Sequence, residues 1–152
     1  MEMKGNGPLS GAMVLLVGAL AYSSPSWSQE LSKEATADLL AQAKQMVIKG
    51  DMQDAYDALS PHELELAGDV DYDYLLGTAA VDTGHADLAI FALERAIEQQ
   101  PSFAGARVEL ARAYFEIGDN EKARYHFEYL LGQNPPPAVQ NVITSYLRSI
   151  DR

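Results

Sequence analysis

Apolar residues spaced three and four positions apart dominate the second half of the chain. Tyr72, Leu75, Leu76 and Ala79 follow the spacing i, i+3, i+4 and i+7, and the same spacing recurs twice further along. This spacing places apolar side chains on one face of an α-helix. No segment alternates apolar and polar residues with a period of two, which a half-buried strand would require. The pattern therefore predicts an all-α fold.

The amphipathic segments repeat with a period of 34 residues. The residues that match at this separation are Leu76 and Leu110, Gly84 and Gly118, Ala89 and Ala123, Leu93 and Phe127, and Pro101 and Pro135. The glycines suit a left-handed turn that ends a first helix. The alanines allow a second helix to approach closely, and the prolines end that helix. The sequence therefore predicts a solenoid of helix-turn-helix pairs.

We predict a signal peptide over 1–28 and one domain over 29–152. Within this domain, a degenerate repeat covers about 36–69, better copies cover about 70–103 and 104–137, and a capping helix covers about 138–151. In the degenerate copy, Pro61 interrupts the second helix, so we expect a shortened or kinked helix there. The final helix carries an apolar stripe that should cover the open end of the solenoid.

The glycine, alanine and proline positions at this period resemble the tetratricopeptide repeat (TPR). Asp73 and Arg107 depart from the TPR pattern, because an early tryptophan is often found at this position. The whole arrangement also resembles the amino-terminal periplasmic domains of outer-membrane proteins related to surface lipoprotein assembly modifiers. This resemblance implies a periplasmic, all-α interaction domain, located at the outer membrane, whose partner is an outer-membrane barrel or a lipoprotein.

The first 28 residues have the three parts of a secretory signal. Lys4 precedes an apolar run from Gly11 to Ala21, and small residues at Ser26 and Ser28 favour cleavage after Ser28. A helix of this run spans roughly 17 Å, whereas the hydrocarbon core of a bilayer is about 30 Å thick. We therefore expect export across the inner membrane and a mature chain without a membrane span.

The charge of the chain is strongly acidic, with 22 Asp and Glu against 11 Lys and Arg. A formal net charge of -11 disfavours binding to nucleic acid. Lys and Arg are absent between Asp51 and Leu93. This acidic stretch is either a solvated face or a surface that attracts a basic partner.

The first helices of stacked pairs form the concave face of such a solenoid, and the resemblance implies that a protein or peptide binds there. The predicted groove residues are Lys44, Tyr74, Thr78, Asp82, Val108, Arg112, Phe115 and Glu116. Tyrosine, arginine and phenylalanine are residue types that carry much of the binding energy at protein interfaces.

Catalytic chemistry finds little support in the sequence. Cysteine is absent, and the three histidines do not have the short spacing of metal ligands. We therefore expect no catalytic residue, no metal site and no cofactor. Two functions remain open: a groove that binds a protein or peptide in envelope assembly, and a scaffold that self-associates into a homo-oligomer through an imperfect cap or its amino-terminal face.

Overall fold

The computed structural model describes residues 31–152, so the predicted signal peptide lies outside the described residues. The helices are α1 (Lys33–Lys49), α2 (Met52–Leu59), α3 (Glu63–Leu66), α4 (Val70–Asp82), α5 (Ala86–Gln99), α6 (Ala104–Glu116), α7 (Asn120–Gly132) and α8 (Pro137–Ile150). Residues 31–152 contain no strand, which confirms the all-α prediction. In the same range, no helix combines the length and the apolar character needed to cross a bilayer.

A side-chain cap and two glycine turns define helix ends in the second and third hairpins, and the glycine turns lie where the sequence predicted them. The Asp69 carboxylate accepts a hydrogen bond from the backbone N–H of Tyr72 at 2.9 Å and thereby caps α4. After α4 and α6, the chain turns at Gly84 and Gly118, with φ angles of 81° and 78°. Only glycine adopts this left-handed conformation without a steric cost, which explains its recurrence after 34 residues.

The first hairpin is irregular, as Pro61 predicts. Helix α2 ends at Leu59, a 3-10 turn covers Ser60–His62, and α3 adds one short helical segment. The carbonyl of Leu59 accepts a hydrogen bond from the buried hydroxyl of Tyr72 at 2.8 Å. Burial raises the pKa of this phenol, so it remains a neutral donor. The interrupted helix is thus tied to α4 of the next hairpin.

Small residues allow the helices to cross closely. Ala89 and Ala123 are fully buried, as the repeat predicted, and so is Ala43, which matches Gly77 at the 34-residue period. At Gly77, an added Cβ would lie 2.5 Å from Cγ of Leu93, so α4 and α5 cross where only glycine fits.

Two apolar residues are more exposed than helical spacing predicts. Ile117 completes the pattern Leu110, Ala113, Tyr114 and Ile117, and Val142 belongs to the apolar stripe of α8. Ile117 in the turn after α6 is 46 % exposed, and Val142 on α8 is 47 % exposed. Ile117 is exposed because α6 ends at Glu116, so the helical spacing no longer determines its direction. Val142 lies on α8 beside the fully buried Ile143, at the edge of a stripe that packs through Ile143.

A buried carboxylate with a half-buried arginine partner occupies one of the two positions where the TPR pattern often has a tryptophan. The Asp73 side chain is fully buried, and it accepts hydrogen bonds from Arg95 Nη2 at 2.7 Å and from the backbone N–H of Gly68 at 2.9 Å. These contacts join α4 to α5 and to the preceding turn. A buried carboxylate with fewer partners would destabilise the fold.

His126 on α7 is half-buried against the ring of Tyr114, with ring centroids 5.7 Å apart. Its Nδ1 lies 3.3 Å from Nη1 of Arg107. Burial, together with the positive charges of Arg107 and Lys122, lowers the pKa of His126 to about 4, although Glu94 acts in the opposite direction. The folded protein therefore holds a neutral imidazole at neutral pH.

Gly77→Ala should destabilise the fold by about 1–3 kcal/mol, because the new methyl group would overlap Leu93. Gly132→Ala is the matched control, since an added Cβ there meets nothing within 4 Å. The control should be neutral or gain up to about 1 kcal/mol from helix propensity. Urea denaturation measures both free energies of unfolding. Equal values for the two variants would contradict the assigned crossing.

Stability should fall between pH 7 and pH 5 in a manner that depends on His126. The unfolded chain takes up this proton near pH 6.5, whereas the folded chain resists it until about pH 4. The stabilisation is therefore complete above pH 6.5 and is lost as the pH decreases. Urea denaturation of wild type and His126→Gln at both pH values should give the larger loss for wild type. Parallel losses would mean that His126 titrates equally in both states.

Candidate binding groove

The first helices of the hairpins lie side by side and form one face of the molecule. Helix α1 contacts α4, and α4 contacts α6. The 34-residue period places Lys44, Thr78 and Arg112 at equivalent positions on these helices, and the next equivalent is Tyr146 on α8. Nε of Arg112 donates a hydrogen bond to the Tyr146 hydroxyl at 3.2 Å. Helix α8 therefore continues the groove as the first helix of a further repeat would.

Arg112 is held by side chains of three helices. Its guanidinium donates to Asp82 on α4, to Glu109 on α6 at 2.6 Å, and to Tyr146 on α8. Burial alone would lower the pKa of Arg112, but Glu109, Asp82 and Tyr146 together raise it above its ordinary value. Burial also raises the pKa of Glu109, against the opposing effect of Arg112. This network fixes the position of the Arg112 guanidinium within the groove and pairs its charge with carboxylates.

Aromatic side chains fill the groove at its carboxyl-terminal end. The Tyr146 ring meets Phe115 edge-on at 5.2 Å and stacks on Phe127 at 5.1 Å. Val108 is half-buried against the same core, and Glu116 is exposed at the end of α6. In this half of the groove, Arg112 and Phe115 therefore contact the chain's own α8.

The groove is open at its amino-terminal end, where a cleft of about 450 Å³ lies between α1, α4 and the residue that precedes α6. Its lining residues are Leu40, Ala41, Lys44, Val47, Ile48, Asp71, Tyr74, Leu75 and Phe103. The structure thus brings Lys44 and Tyr74 together around one cleft. Thr78 is buried, and its hydroxyl donates to the carbonyl of Tyr74 at 2.8 Å.

Two aromatic rings form the inner wall of this cleft. The ring centroids of Tyr74 and Phe103 are 4.6 Å apart. Burial and the charge of Glu109 raise the pKa of Tyr74, so its hydroxyl remains neutral. Gly105 lies beneath the rings, since an added Cβ would come within 3.1 Å of Phe103 and 3.3 Å of the Tyr74 hydroxyl. The two rings can therefore contact an apolar side chain, and the Tyr74 hydroxyl can donate a hydrogen bond to a polar group beside it.

The charged groups of the cleft lie on opposite sides. Lys44 is exposed on α1, and Asp71 is exposed in the first turn of α4. Among the described residues, neither side chain forms an ion pair within 4.0 Å. Both charges are therefore available to a bound segment.

The sequence pattern did not indicate Phe103, Ile48 or Asp71. Phe103 lies in the turn before α6, between Pro101 and the first helical residue, so it falls outside the helical periodicity. Its place in this turn is the one signal in the sequence that could have suggested it. Ile48 is 67 % exposed on the opposite side of α1 from Ala43. Asp71 lies in the first turn of α4, where a carboxylate stabilises the start of a helix, so its type alone does not mark it as a binding residue.

A tetratricopeptide-repeat family profile matches residues 74–138. The surface lipoprotein assembly modifier of Moraxella catarrhalis is 33% identical over 117 residues, which are 74% of this chain and 23% of that protein. The antiviral innate immune response effector IFIT1 of Homo sapiens is 45% identical over 47 residues, 31% of this chain and 10% of its own length. The chain thus spans less than a quarter of these curated relatives.

Two solved structures share the fold. The first TPR of Spaghetti (RPAP3), bound to an HSP90 peptide, aligns with a TM-score of 0.65 at 16% identity and covers 82% of this chain and 96% of its own. The Yersinia enterocolitica type III secretion chaperone SycD, in complex with a peptide of the translocator YopD, aligns with a TM-score of 0.63 at 18% identity. That match covers 80% of this chain and 96% of SycD.

The repeat period, the helical hairpins and these similarities agree. The chain contains tetratricopeptide repeats in an all-α fold and, over the matched segment, resembles the surface lipoprotein assembly modifier.

Proposed function

We propose that the chain binds a segment of a partner protein in the cleft between α1, α4 and Phe103. The observation that carries this proposal is the contrast between the two halves of the groove. Tyr146 fills the half around Phe115, whereas about 450 Å³ remain open beside Tyr74. A preformed cleft reduces the ordering cost that a bound segment must overcome.

The lining of the cleft suits one large apolar side chain of the partner. Leu40, Val47 and Phe103 provide apolar walls, and the Tyr74 hydroxyl and Lys44 provide polar groups at its margin. An apolar or aromatic anchor in such a pocket contributes more binding energy than the contacts around it. Peptides are bound in the two TPR structures of similar fold, which supports the same class of ligand here.

The cellular setting of this binding is a further part of the proposal. We propose export to the periplasm and a role in outer-membrane or surface-lipoprotein assembly, with an outer-membrane barrel or a lipoprotein as the partner. The signal-like residues 1–28 and the resemblance to the surface lipoprotein assembly modifier support this setting. The groove acts by docking, so the proposal assigns no catalytic role to any residue.

Self-association is the second candidate function. Helix α1 is the first described helix, and its outer side forms a shallow depression beside Ala41, Gln45 and Lys49. Ile48 is 67 % exposed next to this side. A second copy could cover these residues and produce the homo-oligomeric scaffold.

A photoreactive residue at Asp71 should crosslink to the partner in cells, because Asp71 lies at the margin of the cleft. The same residue at Asp87 is the matched control, since both aspartates are exposed in the first turn of a helix and Asp87 lies on α5. Mass spectrometry should locate the Asp71 adduct in one segment of an envelope protein. Adducts from Asp87 alone would contradict the cleft, and adducts to this chain alone would favour the scaffold.

Lys44→Trp should weaken binding of that crosslinked segment, made as a peptide, by about tenfold or more, because the indole would occupy the cleft. Lys49→Trp makes the same change at another exposed residue of α1, outside the cleft, and should retain the affinity within about twofold. Isothermal titration calorimetry measures both dissociation constants. Equal affinities would place the binding surface elsewhere.

A further inference from the structure

Arg107 on α6 is a buried cation without a carboxylate partner among residues 31–152. Its residue exposure is 9 %, and no described Asp or Glu lies within 4.0 Å of its guanidinium. Nη2 donates to the carbonyl of Pro101 at 3.2 Å, and Nη1 lies 3.3 Å from Nδ1 of His126. A guanidinium has five N–H donors, so these two neutral partners leave further donors available.

In the preceding repeat, the buried charge at the equivalent position has an ion-pair partner. Asp73 is the equivalent of Arg107, and its partner Arg95 is the equivalent of Tyr129. In the later repeat, the Arg107 guanidinium carbon lies 4.1 Å from the centroid of the Tyr129 ring. A cation–π contact stabilises the face of the guanidinium but supplies no negative charge to its N–H edge. The later repeat therefore has the cation of a buried pair without its anion.

An open cavity of about 160 Å³ adjoins this guanidinium. Its lining residues are Pro101, Ser102, Ala104, Arg107, Tyr129, Leu130 and Gln133. Ala104 is the first residue of α6, and the preceding Phe103 gives this helix end no side-chain cap. The backbone N–H groups of an uncapped helix start favour a negative group. The cavity thus combines a buried cation, a helix start, and the polar side chains of Ser102 and Gln133.

His126 does not supply the missing anion. Burial and the adjacent Arg107 lower its pKa to about 4, so it faces Arg107 as a neutral acceptor. Glu94 accepts a hydrogen bond from the Tyr114 hydroxyl and forms no ion pair with Arg107.

We propose that this cavity binds a carboxylate group on a short aliphatic stem. The carboxylate would accept hydrogen bonds from Arg107, and the stem would lie against Pro101, Ala104 and Leu130. A planar guanidinium matches the geometry of a carboxylate. The net charge of -11 favours a monoanion over a phosphate dianion. The site lies between α6 and α7, so it is separate from the cleft beside α1 and can be tested without the partner of that cleft.

Sodium propionate should raise the melting temperature of the purified protein above that in sodium chloride of equal ionic strength. Arg107→Met should abolish this rise, because it removes the charge while retaining an unbranched side chain. Arg124→Met is the matched control and should retain the rise, since Arg124 does not line the cavity and pairs with Asp151 and Glu128. A rise of wild-type size in Arg107→Met would overturn the proposal. An equal or larger rise in sodium phosphate would overturn the assignment to a carboxylate.

Nuclear magnetic resonance titration of the ¹⁵N-labelled wild type tests the site even where Arg107→Met fails to fold. Propionate should produce saturable shifts in the backbone amides of 104–107 and in the side-chain amide of Gln133. Shifts elsewhere, or shifts that do not saturate, would contradict the site. Two peptides distinguish the source of the carboxylate, because N-acetyl-trialanine has a free terminal carboxylate and its amidated form has none. Tighter binding of the free acid than of propionate supports a chain terminus, and the reverse supports a side chain or a small acid.

Discussion

The close crossing of α4 and α5 at Gly77 is the contact on which the rest of the solenoid depends. A helical hairpin of this size cannot bury its apolar face alone, so each hairpin must pack against the next. Leu93 lies where a Cβ of Gly77 would be and is fully buried. Helix α4 also contacts α1, α2 and α6, so it is the helix that joins all three hairpins. The groove lies on the other side of α4, and its shape is determined by how α4 packs against α1 and α6.

Helix α8 both closes the core and determines the length of the groove. Ile143 is fully buried beneath the helix, while Tyr146 on the same helix reaches Phe115 and Arg112. Because both residues lie on one helix, burial of Ile143 in the core also places Tyr146 in the groove. The same helix that protects the final hairpin leaves only the amino-terminal half of the concave face open.

Most of the fold could be predicted because its determinants are local. Glycine turns, alanine crossings and the interruption at Pro61 each follow from the conformational limits of one residue type, and a fixed period makes them visible. The apolar spacing wrongly predicts burial of Ile117, because the helix ends there and the period no longer determines where the side chain points.

The open cleft was only partly predictable. Lys44 and Tyr74 follow the helical register, whereas Phe103 enters from a turn and could not be placed without the structure. The network around Arg112 joins residues 30 and 34 positions apart, and spacing alone does not show which partners a long side chain selects.

The two polar pairs at equivalent positions also determine where this array can be cut and rejoined. Asp73 pairs with Arg95 within one hairpin, and Arg107 stacks on Tyr129 within the next. Exchange of whole hairpins keeps both pairs intact. A crossover at the turn between two helices of a hairpin would instead place two arginines together, or a buried carboxylate beside a tyrosine ring, and either combination is costly in a core. In this chain, the helical hairpin is therefore the smallest unit that recombination can move without separating either of these pairs.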